Sequence, residues 1–203
     1  MTTMQQPVES AAPGAIQKEA VSAVRGRNLK RLAIGLLILS VLFALTYAYG
    51  WYNAYQLSTR FLRDANQSYE EGDYLNALTG REVYNEEKEQ YQEIGGYLNV
   101  ERIWSHRFSW PTPDLVAQAR QRSEEIIHQH LTVAQAEQYV QANIGKQAPH
   151  FAEIYLRLGE LYLEQGDEVA ARDIFESIPE FFSGREDLIQ QAEQHLDQLD
   201  TSE

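Results

Sequence analysis

The chain contains no cysteine. That excludes disulfides, thiol nucleophiles and Cys-ligated zinc, while leaving the compartment open. Also missing are the phosphate-cradling G-x-G-x-x-G and P-loop patterns and the zinc motif H-E-x-x-H. The histidines are scattered: His106, His150 and His195 stand alone, and His128 pairs at helical spacing with Glu124 but gains no third ligand. Paired carboxylates at 70–71, 86–87 and 124–125 read as solvating charge on helix faces rather than acid–base pairs. No catalytic constellation emerges, so the expectation is a protein that is not an enzyme and needs no cofactor and no metal. Basic charge is scarce too, 17 Lys and Arg against 30 Asp and Glu. Residues 1–31 nevertheless carry five basic side chains against two acidic ones, so everything after them is strongly acidic. Such a body offers nothing to neutralise a phosphate backbone, and no nucleic-acid partner is expected.

What the chain does have is one long greasy run. From Leu32 to Gly50, "LAIGLLILSVLFALTYAYG", no residue is charged. As a helix this stretch is roughly 28 Å long, close to the thickness of a hydrocarbon core. "RGRNLKR" precedes it and Tyr47, Tyr49, Trp51, Tyr52 and Tyr55 gather at its far end. Basic flanks stay in the cytoplasm and aromatic rings settle at the interface. The expectation is a single pass through the cytoplasmic membrane over residues 32–52, with the bilayer itself as one partner. The N-terminus is then cytoplasmic and the C-terminal domain extracytoplasmic. A cleaved signal peptide is the competing reading, but bulky aromatics occupy the place where a cleavage site needs small residues. Residues 1–31, with Pro, Gly, Ser and Gln, read as a disordered basic tail, with a helix from about Ile16 running into the membrane as the other reading. Residue 2 is Thr, so no myristoylation motif is present. Gly35 and Ser40 do not form a G-x-x-x-G, leaving little sign of intramembrane pairing.

The segment 155–175, "YLRLGELYLEQGDEVAARDIF", is patterned throughout. Tyr155, Leu158, Gly159 and Tyr162 fall on one helix face. Gly166 suits a left-handed stop and Asp167 a cap for the next helix. Ala171, Phe175 and Ile178 line that helix until Pro179 breaks it. The spacing predicts a tight antiparallel helix pair and resembles the tetratricopeptide repeat, a 34-residue helix–turn–helix unit. One such unit cannot bury its own apolar face, so neighbours are required. Around Gly72 and Asp73 a weaker copy places Phe61, Ala65, Ala77 and Tyr84 at matching positions, with Ser68 and Arg81 out of pattern. A divergent pair follows, with Thr112 or Asp114 capping its first helix and Thr132 its second. Ile189, Ala192 and Leu196 mark a terminal capping helix.

The expected fold is therefore all-α: an N-terminal transmembrane helix, then a right-handed solenoid of helical hairpins over 57–199. Its repeats are expected at about 57–91, 113–145 and 152–185, with the cap at 185–199. Residues 94–113 interrupt the rhythm with an aromatic insert holding Trp104, His106, Arg107, Phe108 and Trp110. Trp and Arg are common at binding hot spots, so the insert is a candidate contact site for a partner. Packing of Trp104 and Phe108 into the stack, or contact with the membrane surface, are the other readings. Polar positions near Arg157, Glu160 and Glu164 are candidate lining for a peptide-binding groove, whose acidity would suit a basic segment. The resemblance implies an adaptor or scaffold for protein partners. The order of parts is similar to that of the ancillary repeat subunit of the bacterial Sec translocon, which implies a place in protein translocation or envelope assembly. The alternative is an accessory subunit of a larger membrane complex, held through its transmembrane helix.

Overall fold

The computed structural model describes residues 13–202, with side chains from 30 to 201. The chain divides into two compact units, Met1–Tyr52 and Asn53–Glu203.

The first helix, α1, runs Pro13–Glu70. Proline suits a first helical position, where its missing N–H costs nothing, and the Ala-, Glu- and Lys-containing stretch after it propagates a helix well. Residues 13–31, expected as a disordered tail, are therefore helical, and residues 1–12 of that tail lie outside the described residues. From Leu32 to Leu45 the large apolar side chains are half or more exposed, Phe43 most of all at 72%. Among the described residues this is the one helix long and apolar enough to cross a membrane.

In the second unit, the final turns of α1 pair with a second helix that is broken in two. Helix α2 spans Tyr74–Thr79 and α3 spans Tyr97–Trp104. Between them two strands, β1 (Arg81–Asn85) and β2 (Gln90–Ile94), form an antiparallel hairpin with Arg81 opposite Ile94 and Tyr84 opposite Tyr91. The fold is thus mostly helical, as expected, with this one hairpin set into it, and within the span 57–91 the second helix gives way to strand at Arg81 and Tyr84. The cause is local. Gly80 and Gly96 take positive φ of 78° and 89°, which only glycine adopts cheaply, and their backbones touch. A Cβ at Gly96 would lie 2.5 Å from the Gly80 nitrogen. The chain thus leaves the helix at Gly80 and returns to it at Gly96. Buried Asn99 closes the break, donating from Nδ2 to the Thr79 carbonyl (3.2 Å) and the Gly95 carbonyl (2.9 Å). The six residues of α2 and eight of α3 together match the fourteen of the intact helix Glu168–Phe181. Helix α3 then lies along α1, with the Tyr97 hydroxyl donating to Asn66 Oδ1 (2.7 Å) and Trp104 Nε1 to Ser58 Oγ (2.8 Å).

Helix α4 (Asp114–Glu125) packs on α3 and ends in a π-helical turn, Ile126–His130. Neither Thr112 nor Asp114 caps it: Pro113 holds the cap position without a side-chain bond, and Asp114 is the first helical residue. Helix α5 (Val133–Asn143) opens with a full capping box between Thr132 and Gln135 and packs on α6. Helices α6 (Phe151–Glu164) and α7 (Glu168–Phe181) form a close hairpin. Gly159 permits this, because a Cβ there would lie 2.6 Å from the Phe175 ring. Ala171, Phe175 and Ile178 are fully buried, Leu158 nearly so, and the Tyr155 hydroxyl bonds Ser177 Oγ (2.9 Å). Pro179 does not break α7. The helix continues to Phe181, since a proline this close to a C-terminus forfeits only one bond and Phe182 N–H still reaches the Ile178 carbonyl. Helix α8 (Glu186–Ser202) closes the unit on α7 with Leu188, Ala192 and Leu199 buried.

The Gly-Asp turns at 72–73 and 166–167 match bond for bond. Gly72 N–H donates to Tyr69 O and Asp73 N–H to Ser68 O; Gly166 N–H donates to Leu163 O and Asp167 N–H to Tyr162 O. This is the Schellman arrangement, which satisfies the last carbonyls of a helix. Each aspartate then accepts the backbone N–H three residues on, Asn76 in one turn and Ala170 in the other. Ala77 and Ala171 follow at the same offset, both fully buried.

Candidate functional site

A cavity of about 1090 Å³ opens among the C-terminal end of α3, the start of α4, the α5–α6 loop, the start of α6 and the α7–α8 loop. Its walls include Trp104, Val116, Phe151 and Phe182 on the apolar side and Glu101, Arg120, Lys146, His150, Glu153 and Arg185 on the charged side.

A polar knot sits in the wall. Ser123 Oγ donates to Glu101 Oε1 (2.7 Å), and His150 Nε2 lies 3.2 Å and Arg120 Nε 3.6 Å from Glu101 Oε2. Burial opposes ionisation of Glu101, but the bonds from His150 and Ser123 outweigh it and hold the carboxyl below its usual range. The bond to Glu101 raises His150 against the opposing effect of burial, with Glu153 and Glu124 adding to the rise. His150 also stands at φ 54°, a conformation rare for a residue with a side chain, at the cap position of α6. The knot ties α3 and α4 to the start of α6. A second tie crosses nearby, where Arg185 Nη1 reaches Glu153 Oε1 (2.8 Å) while the same guanidinium grips Asp187.

The structure divides the aromatic insert. Residues 97–104 are helix, and Trp104 is buried with its indole satisfied by Ser58. The segment after it is irregular. Its Phe108 and Trp110 are 63% and 76% exposed, so Phe108 is not core. Arg107 lies over the Phe108 ring at 4.8 Å, and His106 Nδ1 accepts the Phe108 N–H at 3.3 Å.

Arg157, Glu160 and Glu164 form one row along α6, apart from the cavity wall. The row is occupied by itself: Arg157 Nη1 donates to Glu160 (2.9 Å) and Glu164 (2.7 Å), and Glu160 faces His195 of α8 at 3.5 Å. An open acidic groove was expected here, and the pairing cancels part of that charge. Tyr162 on the same helix bonds Glu137 of α5, which pushes the phenol up to about 12.

Two further groups carried no sequence signal. Glu125, read as a solvating carboxylate, accepts the Tyr69 hydroxyl (2.7 Å) and pairs with Arg122 (2.7 Å), which holds it below its usual range. Tyr74 stacks on His130 with ring centres 4.2 Å apart. Together these contacts dock the first Gly-Asp turn on the end of α4. Glu86 and Glu87, expected on a helix, occupy the turn of the β-hairpin. Among the described residues no group of three His, Asp or Glu side chains is placed to hold a metal ion.

Comparison with known proteins returned no family model, no curated protein and no solved structure that matches this chain.

Proposed function

We propose that this chain is a membrane-anchored adaptor without enzymatic activity, whose helical hairpins form a tetratricopeptide-type stack that holds another protein at the extracytoplasmic face. Protein translocation and envelope assembly are the settings that suit this layout. The observation that carries the reading is the pair of Gly-Asp turns, which share the same two Schellman bonds, each followed by a buried alanine at the same offset. Recurrence of one turn geometry is the signature of stacked repeats, and stacks of this kind expose long side-chain rows suited to an extended segment. The exposed end of the Arg157–Glu160–Glu164 row, at Glu164, marks the surface we assign to the partner. The basic residues just before Leu32 support a cytoplasmic N-terminus.

A second reading, an accessory subunit held through its membrane helix, draws on the uncovered apolar surface of Leu32–Leu45. Co-purification in mild detergent separates the two. In the adaptor, partners survive exchange of residues 32–50 for an unrelated apolar helix and are lost with Glu160→Lys/Glu164→Lys. The opposite pattern establishes the subunit reading. A reporter fused after Glu203 tests topology, and cytoplasmic reporter activity would overturn the orientation.

A further inference from the structure

The two loops that border the cavity stand out in the second unit by their charge. Segments 102–113 and 138–152 contain no Asp or Glu, in a chain that has 30 of them; the loops proper carry Arg107 and Lys146, while Arg102 at the end of α3 is paired with Glu93 (2.6 Å). Each loop also lifts large apolar side chains into solvent: Phe108 and Trp110 from one, Ile144 at 66% exposure from the other. The cavity lining includes Ser105 and Thr112 at the base of the first loop and Pro149 and His150 at the base of the second, with Lys146 and Gln147 between. Both loops therefore rise from the rim of one cavity. Aromatic and aliphatic tips interleaved with cations are the composition of a surface that enters a lipid headgroup region. Clustered Lys and Arg are drawn there by anionic lipid.

Chain connectivity limits how far this rim can stray from a bilayer. Trp104, in the cavity wall, is bonded to Ser58. Ser58 is only six residues beyond Tyr52, where the first unit ends. Six residues span at most about 21 Å even when fully extended. Covalent connection alone thus keeps Ser58, and Trp104 bonded to it, within that reach of Tyr52.

We infer that the loops 105–113 and 144–150 seat against the headgroup zone of an anionic bilayer leaflet, the one from which the apolar helix emerges. Phe108, Trp110 and Ile144 occupy the interface, and Arg107 and Lys146 lie at the lipid phosphates. This inference rests on the reading that residues 32–52 cross a membrane. It gives the cavity side of the unit to lipid and leaves the α6 row for the partner.

The absence of cysteine makes the test direct. Four single-cysteine variants of the full chain, Leu42→Cys, Phe108→Cys, Ile144→Cys and Val169→Cys, are spin-labelled in phosphatidylcholine nanodiscs with and without phosphatidylglycerol. Collision with molecular oxygen, which partitions into lipid, is compared with collision with a water-soluble nickel chelate. Val169 is 75% exposed and lies beside the α6–α7 turn, about 20 Å along the hairpin from the cavity end, so it reports water. The expected result is a positive logarithm of the oxygen-to-nickel ratio at 42, 108 and 144 and a negative one at 169. Phosphatidylglycerol should raise the ratio at 108 and 144, and Arg107→Glu/Lys146→Glu should abolish that rise without altering position 42. Negative values at 108 and 144 with 42 still in lipid overturn the inference alone. Shielding of 108 and 144 from both reagents overturns it in favour of a protein docking surface. A negative value at 42 overturns the membrane-crossing reading itself, and this inference with it.

Discussion

The hairpin made by the end of α1 with α2 and α3, and the hairpin made by α6 and α7, begin alike and end differently. Both turn through the same Gly-Asp geometry with the same bonds. In the second hairpin the returning helix runs unbroken, because Phe175 fills the space under Gly159. In the first, the residue at the place of Phe175 is Arg81, which cannot be buried there unpaired. The helix stops at Thr79, and Tyr97, Leu98 and Val100 of α3 supply the missing apolar contacts from further along the chain. A shared turn therefore fixes how a hairpin starts, whereas the core residue after it decides whether the second helix survives.

The sharpest way to break this contrast is Phe175→Ala. Emptying the space under Gly159 should cost about 3–5 kcal/mol, the usual range for a buried phenylalanine, and chemical denaturation would measure it. A loss below about 1 kcal/mol would show that the α6–α7 hairpin does not depend on that ring.

The tie between the two hairpins is the Glu101–His150 bond, and pH should expose it. His150 is raised above its ordinary value of 6.5, so its charged contribution is complete below 6.5 and fades as pH climbs through the raised value. Glu101 is lowered from 4.5, so its contribution is complete above 4.5 and fades as pH falls through the lowered value. The bond is then strongest between those limits. His150→Asn, which tolerates the positive φ, should cost about 1.5–3 kcal/mol at pH 6 and less at pH 9. A pH-independent cost would remove the ionic account of the knot.

A finer comparison pairs Asp73→Ala with Asp167→Ala. Loss of each cap should cost about 1 kcal/mol, and the two losses should agree apart from the extra bond that Asn76 Nδ2 gives Asp73, since each aspartate accepts the backbone N–H three residues on. Unequal losses would mean that the match of the turns is geometric but not energetic.

The smallest effect is expected from deleting residues 81–95. If α2 and α3 are one helix divided, joining Gly80 to Gly96 should leave the fold intact and shift stability by no more than about 1 kcal/mol. Loss of cooperative unfolding would show that the β-hairpin is part of the core.

What could be read from the sequence was what short-range rules encode. The Gly166–Asp167 and Gly72–Asp73 turns, the Gly159–Phe175 spacing and the Thr132 cap each need only a few neighbouring residues. The β-hairpin was hidden because "REVYNEEKEQYQEI" is rich in charge that also suits a helix face. Only the flanking Gly80, Gly95 and Gly96, each at positive φ, mark where it departs. Glu101 and His150 are 49 positions apart and meet only through packing, so no local pattern could have joined them. Ser58 and Trp104 meet in the same way, 46 positions apart. The exposed tip of the aromatic insert was visible in composition, but its separation from buried Trp104 depends on where α3 ends.

The contact between Gly80 and Gly96 makes the segment between them a cassette. Its two ends leave the body at one point, and the hairpin is tied back to α3 where Arg102 meets Glu93, so a change of length beyond Glu93 does not pull the helices apart. A longer strand pair, or a whole folded reporter inserted between Glu87 and Lys88, would hang from that point as a pendant. The same junction that divides a helix gives this protein a port where new sequence can be added without reworking the stack beneath it.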